Sequence, residues 1–549
     1  MTLTYAETRD SEHLRLLTPA IDVFIDRYRH PAATKSTSPR QTLFFFAGGI
    51  ASQLTRATRK FVDGVATPQT FDYEVVWVAS DSFDGGARDL KMYRDSAGTF
   101  RDRGSRIIVA DAAVSDSDGH TPHDGLIAWC ASNNVDLFVL PWDWRRRLDE
   151  TVNFFVGKFL PFFQARVLAA GCPDPLARFA LVGHSLGGMI VNLILRGNDP
   201  IVANMTHAIT VATPFYGYPG QVHRWFEGDD WFNGTNPPGV FKQEIMETIA
   251  SLPSLYVVQL LDEATYRNST TQSALAHDPD FPLAAYPSMD MTSPGVRADP
   301  YNPKTNGNLV RYPALTGFSP SELEYARLQV QQLTGPMEPH LLQKFYNIRG
   351  VRTENDGHTP MPNTIGSVSW DWIPTSFDSA DPSPIVDGAR VTGDDTQPAW
   401  SARLATNHPS RCITVRGRNI AHIFVMNDAL VIDAIGSILC PPGAAMRARD
   451  IAQPEPASDD DVVEFLRWLS EHPGVGRTWR SFNHPELRNV VPRKFSNKLG
   501  AIMRRLLMDV MKRPAPKGLT APEPPQRKAA ARKPAGGRRR GRSPKKKTR

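Results

Sequence analysis

Three side chains in this sequence have the types and the chain order that nucleophilic attack on an acyl group requires. Ser185 stands at the centre of GHSLG, residues 183–187. The pattern alone is a weak signal, because glycine and serine are common residues. Its setting is more specific: a short apolar run precedes the serine, and Gly187-Gly188 opens a helix-like stretch. A tight strand–turn–helix exposes a serine hydroxyl above a sheet, so we predict that Ser185 is a nucleophile.

A serine hydroxyl becomes an effective nucleophile only when a base takes its proton, and the chain offers 14 histidines. This kind of turn is followed along the chain first by the acid and then by the histidine. His422 fits that order, since it lies just before a helix-like apolar stretch near the end of the patterned region. His408 and His358 stay open as alternatives, because most histidines in a protein are ordinary surface or core residues.

The third group is a carboxylate that orients the imidazole and stabilises its charged form. Asp394 follows a predicted strand at 385–391 and precedes His422, so it is the favoured acid. Asp395 and Asp356 remain alternatives, because Gly-Asp-Asp is also common in solvated turns.

Backbone N–H groups must stabilise the oxyanion that forms during such a reaction. Leu186, directly after the nucleophile, supplies one amide. The other is expected from the loop after the first strand, where Gly48-Gly49 leaves room for a carbonyl to approach. We favour the Gly49 amide.

The elements that must position these groups are visible as alternating apolar and helix-like patterns. Near-continuous apolar strands that alternate with helices are typical of a mostly parallel sheet covered on both faces. The predicted strands are 42–46, 73–78, 106–110, 135–140, 179–182, 207–211, 345–348 and 385–391, and the predicted helices are 149–170, 187–195 and a stretch after His422.

Several separated motifs resemble the lecithin:cholesterol acyltransferase-like branch of the α/β-hydrolases, which includes lysosomal phospholipases and phospholipid:diacylglycerol acyltransferases. The order of the motifs is the same, and the resemblance covers roughly residues 40–445. Ala47, Ala51, Asp395 and Gln397 replace the family's proline, glycine, glycine and valine at supporting positions. The similar stretches are Ala47–Leu54, the Asp-Trp-Arg motif in Pro141–Arg145, the serine motif at 183–188, Thr213–Gly217 and the acid motif Gly393–Pro398.

The resemblance implies an α/β-hydrolase fold with a large cap insertion, and the sequence adds a C-terminal helical extension. Trp225, Phe226, Trp231 and Phe232 in the cap could line an acyl-chain site, contact a lipid surface or form the cap's own core. The turn Ser251–Ser254 is similar to one in the family's cap. The expected divisions are an N-terminal segment (1–39), the first part of the core (40–213), the cap (214–344), the second part of the core (345–445), the extension (446–511) and a basic tail (512–549).

The candidate residues and the family resemblance together imply that the protein is a serine-dependent ester hydrolase or O-acyltransferase. Its substrate would be a lipid or another hydrophobic acyl ester, with an acceptor alcohol in the case of transfer, and no metal or cofactor is implied. The alternative is a catalytically silent protein of the same fold that binds lipid or a partner.

Charge is concentrated at the C-terminus. The net charge is +6, yet residues 512–549 alone contain fifteen Lys and Arg against one acidic residue, so the rest of the chain is acidic. A basic amphipathic pattern at 498–513 precedes this tail. It could lie on an anionic membrane or dock on the core. The charge of the tail would attract the phosphates of lipid head groups or, as the less favoured partner, of nucleic acid, and any nucleic-acid contact should be independent of base sequence because no aromatic residues interleave with the charges.

The N-terminus has acidic and polar residues where a secretory signal needs a basic start and an apolar core. No apolar run is long enough to cross a bilayer. Four cysteines at irregular spacing fit neither a metal motif nor a disulfide framework, so reduced thiols are expected. These features predict a cytoplasmic protein with an optional peripheral membrane contact.

Overall fold

A computed structural model of the chain describes residues 4–30, 40–258, 319–353 and 393–440, and positions 463, 464 and 467. Within these ranges it leaves out 63–64, 78–86, 96–97, 99, 104–105, 115–120, 218–246, 395, 405 and 418–419. Several predictions therefore fall outside the described residues: the strand at 385–391, the cap aromatics, the amphipathic pattern at 498–513, the basic tail, and the alternatives His358, Asp356 and Asp395.

Eleven strands are present in the described part of the chain. They are β1 Gln41–Phe46, β2 Ser52–Val62, β3 Val65–Trp77, β4 Tyr93–Arg94, β5 Phe100–Arg101, β6 Arg106–Ala113, β7 Val135–Leu140, β8 Phe179–His184, β9 Met205–Val211, β10 Phe345–Arg352 and β11 Cys412–Gly417.

The α-helices number from the N-terminus as α1 Tyr5–Arg29, α2 Ala87–Leu90, α3 Asp124–Ser132, α4 Leu148–Phe154, α5 Leu160–Ala169, α6 Leu186–Arg196, α7 Pro320–Thr334, α8 Pro339–Leu342 and α9 Ala429–Leu439. Short 3-10 turns cover Gly49–Ala51, Pro200–Asn204, Pro253–Tyr256, Pro409–Arg411 and His422–Asn427. Among the helices in the described ranges, none is both long enough and apolar enough to cross a bilayer.

The centre of the molecule is a six-stranded sheet in the order β11-β10-β9-β8-β1-β7, and all of its neighbouring strands are parallel. Helices cover both of its faces. This arrangement, with β8 leading through a sharp turn into α6, is the α/β-hydrolase fold that the sequence predicts.

Strand β1 explains why the central strands are apolar throughout. Phe44 and Phe46 belong to the core on the side of α4 and α5, whereas Leu43 and Phe45 belong to the core on the side of α3 and α9. Successive side chains of a strand point to opposite faces, so a strand buried on both faces needs apolar residues at every position.

Two predicted strands lie elsewhere than in the parallel sheet. Residues 73–77 of the first segment fall within β3 and the segment at 106–110 falls within β6; both strands pair antiparallel with β2 in a separate sheet of order β3-β2-β6. An apolar run shows that a segment is extended, but the direction of its partner depends on the turns between strands.

The N-terminal segment forms a 25-residue helix, α1, for which the sequence analysis predicted no element. Thr4 and Glu7 form a capping box at its start, and the Thr4-x-x-Glu7 spacing was the available signal. Leu17, Ile21 and Phe24 are fully buried and recur at helical spacing, so α1 packs on the core as an amphipathic helix.

The helix predicted at 149–170 is interrupted. Residues Phe155–Phe159 form a π-helical segment between α4 and α5, and Pro161 lies in the first turn of α5. Because proline cannot donate a backbone hydrogen bond, Pro161 favours a local change in the hydrogen-bond pattern of the helix. The rings of Phe155 and Phe159 pack edge-on against Phe44 of the central sheet.

Candidate active site

Ser185 lies in the sharp turn between β8 and α6. Its φ is 55° and its ψ is −126°, a backbone conformation that costs free energy in a residue other than glycine. A methyl group at Gly183 would come within 2.3 Å of the Gly187 carbonyl oxygen, and one at Gly187 within 2.3 Å of the Phe46 carbonyl oxygen. The two glycines are therefore required by close backbone approach, and the turn holds the Ser185 hydroxyl at the carboxyl end of β8.

His422 opens the 3-10 turn that follows β11. Its Nε2 atom lies 3.0 Å from the Ser185 hydroxyl oxygen, and the ring is almost fully buried. The alternative His408 is exposed, and its Nδ1 atom lies 2.7 Å from the Ser410 hydroxyl. Of these two histidines, the structure brings only His422 to Ser185.

Asp394 lies behind the histidine and is 1% exposed. One carboxylate oxygen is 2.9 Å from His422 Nδ1, and the other accepts the Gln397 amide at 2.7 Å. The His422 amide in turn donates to the Asp394 carbonyl at 2.6 Å. The carboxylate and the imidazole are thus fixed to each other through both side chain and backbone, which leaves Nε2 directed at Ser185.

The two amides expected to form an oxyanion hole lie beside Ser185. Leu186 is the first residue of α6, where backbone N–H groups have no acceptor within the helix. A methyl group at Gly49 would come within 2.8 Å of the Leu186 side chain, and one at Gly48 within 3.5 Å of Ser185 Cβ. The loop after β1 therefore packs directly on the turn that bears Ser185.

His184 is a neighbour of this site that the sequence analysis did not single out. Its ring centroid lies 4.8 Å from that of His422, and the residue is 6% exposed. Burial, followed by the nearby His422 and His123, holds the pKa of His184 well below its usual value near 6.5. The ring is therefore neutral, and the signal that could have identified it was a histidine directly before the nucleophile.

A second buried polar network, here called the ionic cluster, lies under α1 and comprises Tyr5, Asp102, Asp143, Arg145 and Arg146. Arg145 is completely buried and pairs with Asp143 at 2.7 Å and with Asp102 at 2.9 Å. Although burial alone would raise it, the adjacent Arg145 and Arg146 lower the pKa of Asp143 to about 2. The Tyr5 hydroxyl donates to Asp102 at 2.7 Å and so joins α1 to the cluster.

The described parts of the insertion between β9 and β10 pack on the core next to the ionic cluster. The Ser254 hydroxyl donates to the Trp144 carbonyl, and the Ser251 hydroxyl accepts the Met92 amide at 3.0 Å. The predicted Ser251–Ser254 turn runs into the 3-10 segment Pro253–Tyr256. Trp144 is close to Gly49 as well, so this loop connects the insertion to the region beside Ser185.

No protein-family model matches the chain, and no curated protein matches it. Among solved structures, it is similar to a chain in the crystal structure of the Tle4–Tli4 complex, with 11% sequence identity and a TM-score of 0.38. The match covers 75% of this chain and 100% of that chain.

Proposed function

We propose that this protein is a serine-dependent ester hydrolase or O-acyltransferase. The observation that carries the proposal is the hydrogen-bonded chain from Ser185 Oγ to His422 Nε2 at 3.0 Å and from His422 Nδ1 to Asp394 at 2.9 Å. A serine in a strained turn at the carboxyl end of a parallel strand, joined to an imidazole and a buried carboxylate, is an activated nucleophile.

In the first half-reaction, Ser185 Oγ attacks the ester carbonyl carbon while His422 Nε2 takes the hydroxyl proton. The carbonyl oxygen becomes an oxyanion that the amides of Gly49 and Leu186 stabilise. When the tetrahedral intermediate collapses, the ester C–O bond breaks and His422 gives its proton to the departing alkoxide. The products are a free alcohol and an acyl group bonded to Ser185.

In the second half-reaction, His422 takes a proton from water or from an acceptor alcohol, and that oxygen attacks the acyl carbon. The bond to Ser185 Oγ then breaks, and His422 returns the proton to the serine. Water gives a carboxylic acid, and an alcohol gives a new ester. The choice between hydrolysis and transfer therefore depends on which acceptor reaches the acyl-enzyme.

The proposed substrate class is a lipid or another hydrophobic acyl ester. Two observations support it: the motifs resemble the lecithin:cholesterol acyltransferase-like branch, and Ile50, beside Gly49, leaves 40% of its surface exposed. An apolar side chain next to the proposed oxyanion amides favours an apolar acyl chain or alcohol over a charged one.

The first experiment is labelling of the full chain with a fluorophosphonate probe, followed by mass spectrometry of the labelled peptide. We expect a single adduct on Ser185 and its complete loss in Ser185→Ala, with unchanged thermal stability. Ser437→Ala is the matched control, because Ser437 is exposed and its hydroxyl donates to the Asp433 carbonyl within helix α9.

The same proteins are then assayed on p-nitrophenyl esters of increasing chain length and on phospholipid vesicles, with and without long-chain alcohols. Turnover that rises with chain length supports a hydrophobic substrate, and formation of new ester identifies a transferase. A folded wild-type protein that takes up no probe and cleaves no ester would instead favour the catalytically silent lipid or partner binder.

We further propose that the basic C-terminal residues 512–549 are a tether to anionic membranes, since fifteen cationic side chains attract phosphate head groups. Deletion of 512–549 should weaken binding to phosphatidylserine vesicles and leave fluorophosphonate labelling intact. Unchanged vesicle binding would contradict the tether, and loss of duplex DNA binding alone would point to nucleic acid.

A further inference from the structure

We propose that His184 is a positioning residue that holds the imidazole of His422 toward Ser185. This inference rests on the proposed function, because it concerns the same reaction. His184 is the residue directly before the nucleophile, so its backbone belongs to the sharp turn, whereas its ring contacts the base. His184 therefore connects Ser185 and His422 by contacts that do not involve Asp394.

The contact with His422 is a packing contact between the two imidazole rings. The ring centroids are 4.8 Å apart with the planes inclined by 47°, and both residues are more than nine-tenths buried. A buried ring that packs against an imidazole restricts the rotation of that imidazole.

The other side of the His184 ring faces the loop after β1. A methyl group at Gly48 would come within 2.9 Å of His184 Nδ1. The absence of a side chain at Gly48 is therefore what lets the ring occupy this space. The same ring thus separates the proposed oxyanion loop from the base and fixes the spacing between them.

The far end of the 3-10 turn that carries His422 is anchored independently. The Asn427 side chain accepts the Gly125 amide at 2.8 Å and donates to the Thr121 carbonyl at 3.4 Å. These bonds fix the end of the turn to the start of α3. They do not reach the imidazole, so the orientation of the ring depends on Asp394 on one side and on His184 on the other.

The neutral state of His184 suits this role. When His422 takes the serine proton it becomes positively charged, and a second positive ring at 4.8 Å would oppose that step. Because burial keeps His184 uncharged, the ring can support His422 without competing for the proton.

The test compares three variants of the full chain by the second-order rate constant of fluorophosphonate labelling. His184→Phe keeps a planar ring against His422, whereas His184→Ala removes the ring. We expect His184→Ala to label at least tenfold more slowly than wild type, since small misplacements of catalytic groups cost up to about 10²-fold. His184→Phe should label within about threefold of wild type.

His207→Ala is the matched control, because this histidine lies near the amino end of β9, whereas the residue that pairs with His184 lies at the carboxyl end. Thermal melting of each variant separates stability from labelling. Slow labelling of a folded His184→Ala, together with rescue by His184→Phe, identifies the ring contact as the positioning element. If His184→Ala fails to fold, His184→Asn replaces it, since its side chain is shorter than the imidazole and should also label slowly.

Equal rates for wild type and His184→Ala, or equally slow rates for His184→Phe and His184→Ala, would overturn the positioning role while labelling of wild type at Ser185 still upheld the enzyme. Absence of labelling in the wild type, or labelling that persists in Ser185→Ala, would instead remove the proposed function and this inference with it.

Discussion

The described residues contain two buried polar networks that differ in the kind of charge they hold. The candidate active-site network of Ser185, His422 and Asp394 contains a hydroxyl and an imidazole joined by a hydrogen bond, along which a proton can move. The ionic cluster is built around Arg145 and Asp143, whose charges are permanent because the pKa of Asp143 is held at about 2 and that of Arg145 is raised.

The difference separates function from architecture. A buried ion pair with every partner in place loses free energy when it is disturbed, so it fixes loops and helices but cannot exchange protons. A histidine between a serine and a carboxylate can accept and return a proton without moving its heavy atoms. Burial of polar groups by itself therefore does not identify an active site, whereas the presence of a proton that can move does.

The largest effect that distinguishes the candidate active-site network from the ionic cluster is expected for Asp394→Asn. An amide cannot stabilise the imidazolium and favours the wrong tautomer of His422, so we expect turnover to fall by about 10²–10⁴-fold with little change in melting temperature. The measurement is the rate of fluorophosphonate labelling together with kcat on a p-nitrophenyl ester.

Asp395→Asn is the control for this prediction, because it removes the adjacent carboxylate that the sequence left open as an alternative acid. Loss of activity in Asp395→Asn with normal activity in Asp394→Asn would reverse the assignment of the acid.

The ionic cluster should respond in the opposite way. Arg145→Met leaves Asp143 and Asp102 buried without their main cationic partner, and the expected loss of unfolding free energy is about 3–5 kcal/mol. Urea unfolding measures that loss, and the folded fraction should still label at Ser185.

Arg166→Met provides the matched surface pair, because Arg166 and its partner Asp22 are 37% and 54% exposed. Removal of an exposed pair should cost only about 0–1 kcal/mol. If Arg145→Met kept its stability and lost labelling, the cluster would belong to the active site rather than to the scaffold.

The smallest expected effect is a pH dependence beside the ionic cluster. Burial, followed by the charge of Arg9, lowers the pKa of His13 to about 4. As the pH falls, His13 therefore binds a proton in the unfolded chain before it does so in the folded chain. The free energy of unfolding decreases between about pH 6.5 and about pH 4, by on the order of 3 kcal/mol. His13→Phe, which keeps the ring stacked on Phe154, should flatten this part of the stability curve.

Unfolding free energies at pH 7 and pH 4.5 test this prediction, and the exposed His408→Gln serves as the control with an unchanged curve. The buried His123, whose pKa burial also lowers to about 4, contributes equally to all variants and cancels in the comparison. Identical curves for wild type and His13→Phe would show that α1 stays docked without the neutral form of His13.

The predictability of this molecule from its sequence depended on how local each signal was. The strand and helix around Ser185 follow from an apolar run, close-packed glycines and an apolar helix face, and they agree with β8 and α6. The antiparallel pairing of β3 and β6 with β2 was not predictable, because the partner of a strand depends on packing between residues far apart in the chain. Helix α1 could have been recognised from Thr4 and Glu7, yet its docking partner could not.

The sequence by itself determined the strand and helix on either side of Ser185 and the position of this serine at the turn between them, because these depend on residues within one turn or strand of each other. Only the tertiary structure decided which histidine reaches Ser185, which oxygen faces His422, and that His184 lies against the same ring. Those contacts join residues far apart in the chain, and they are made where parallel strands bring their carboxyl ends to one edge.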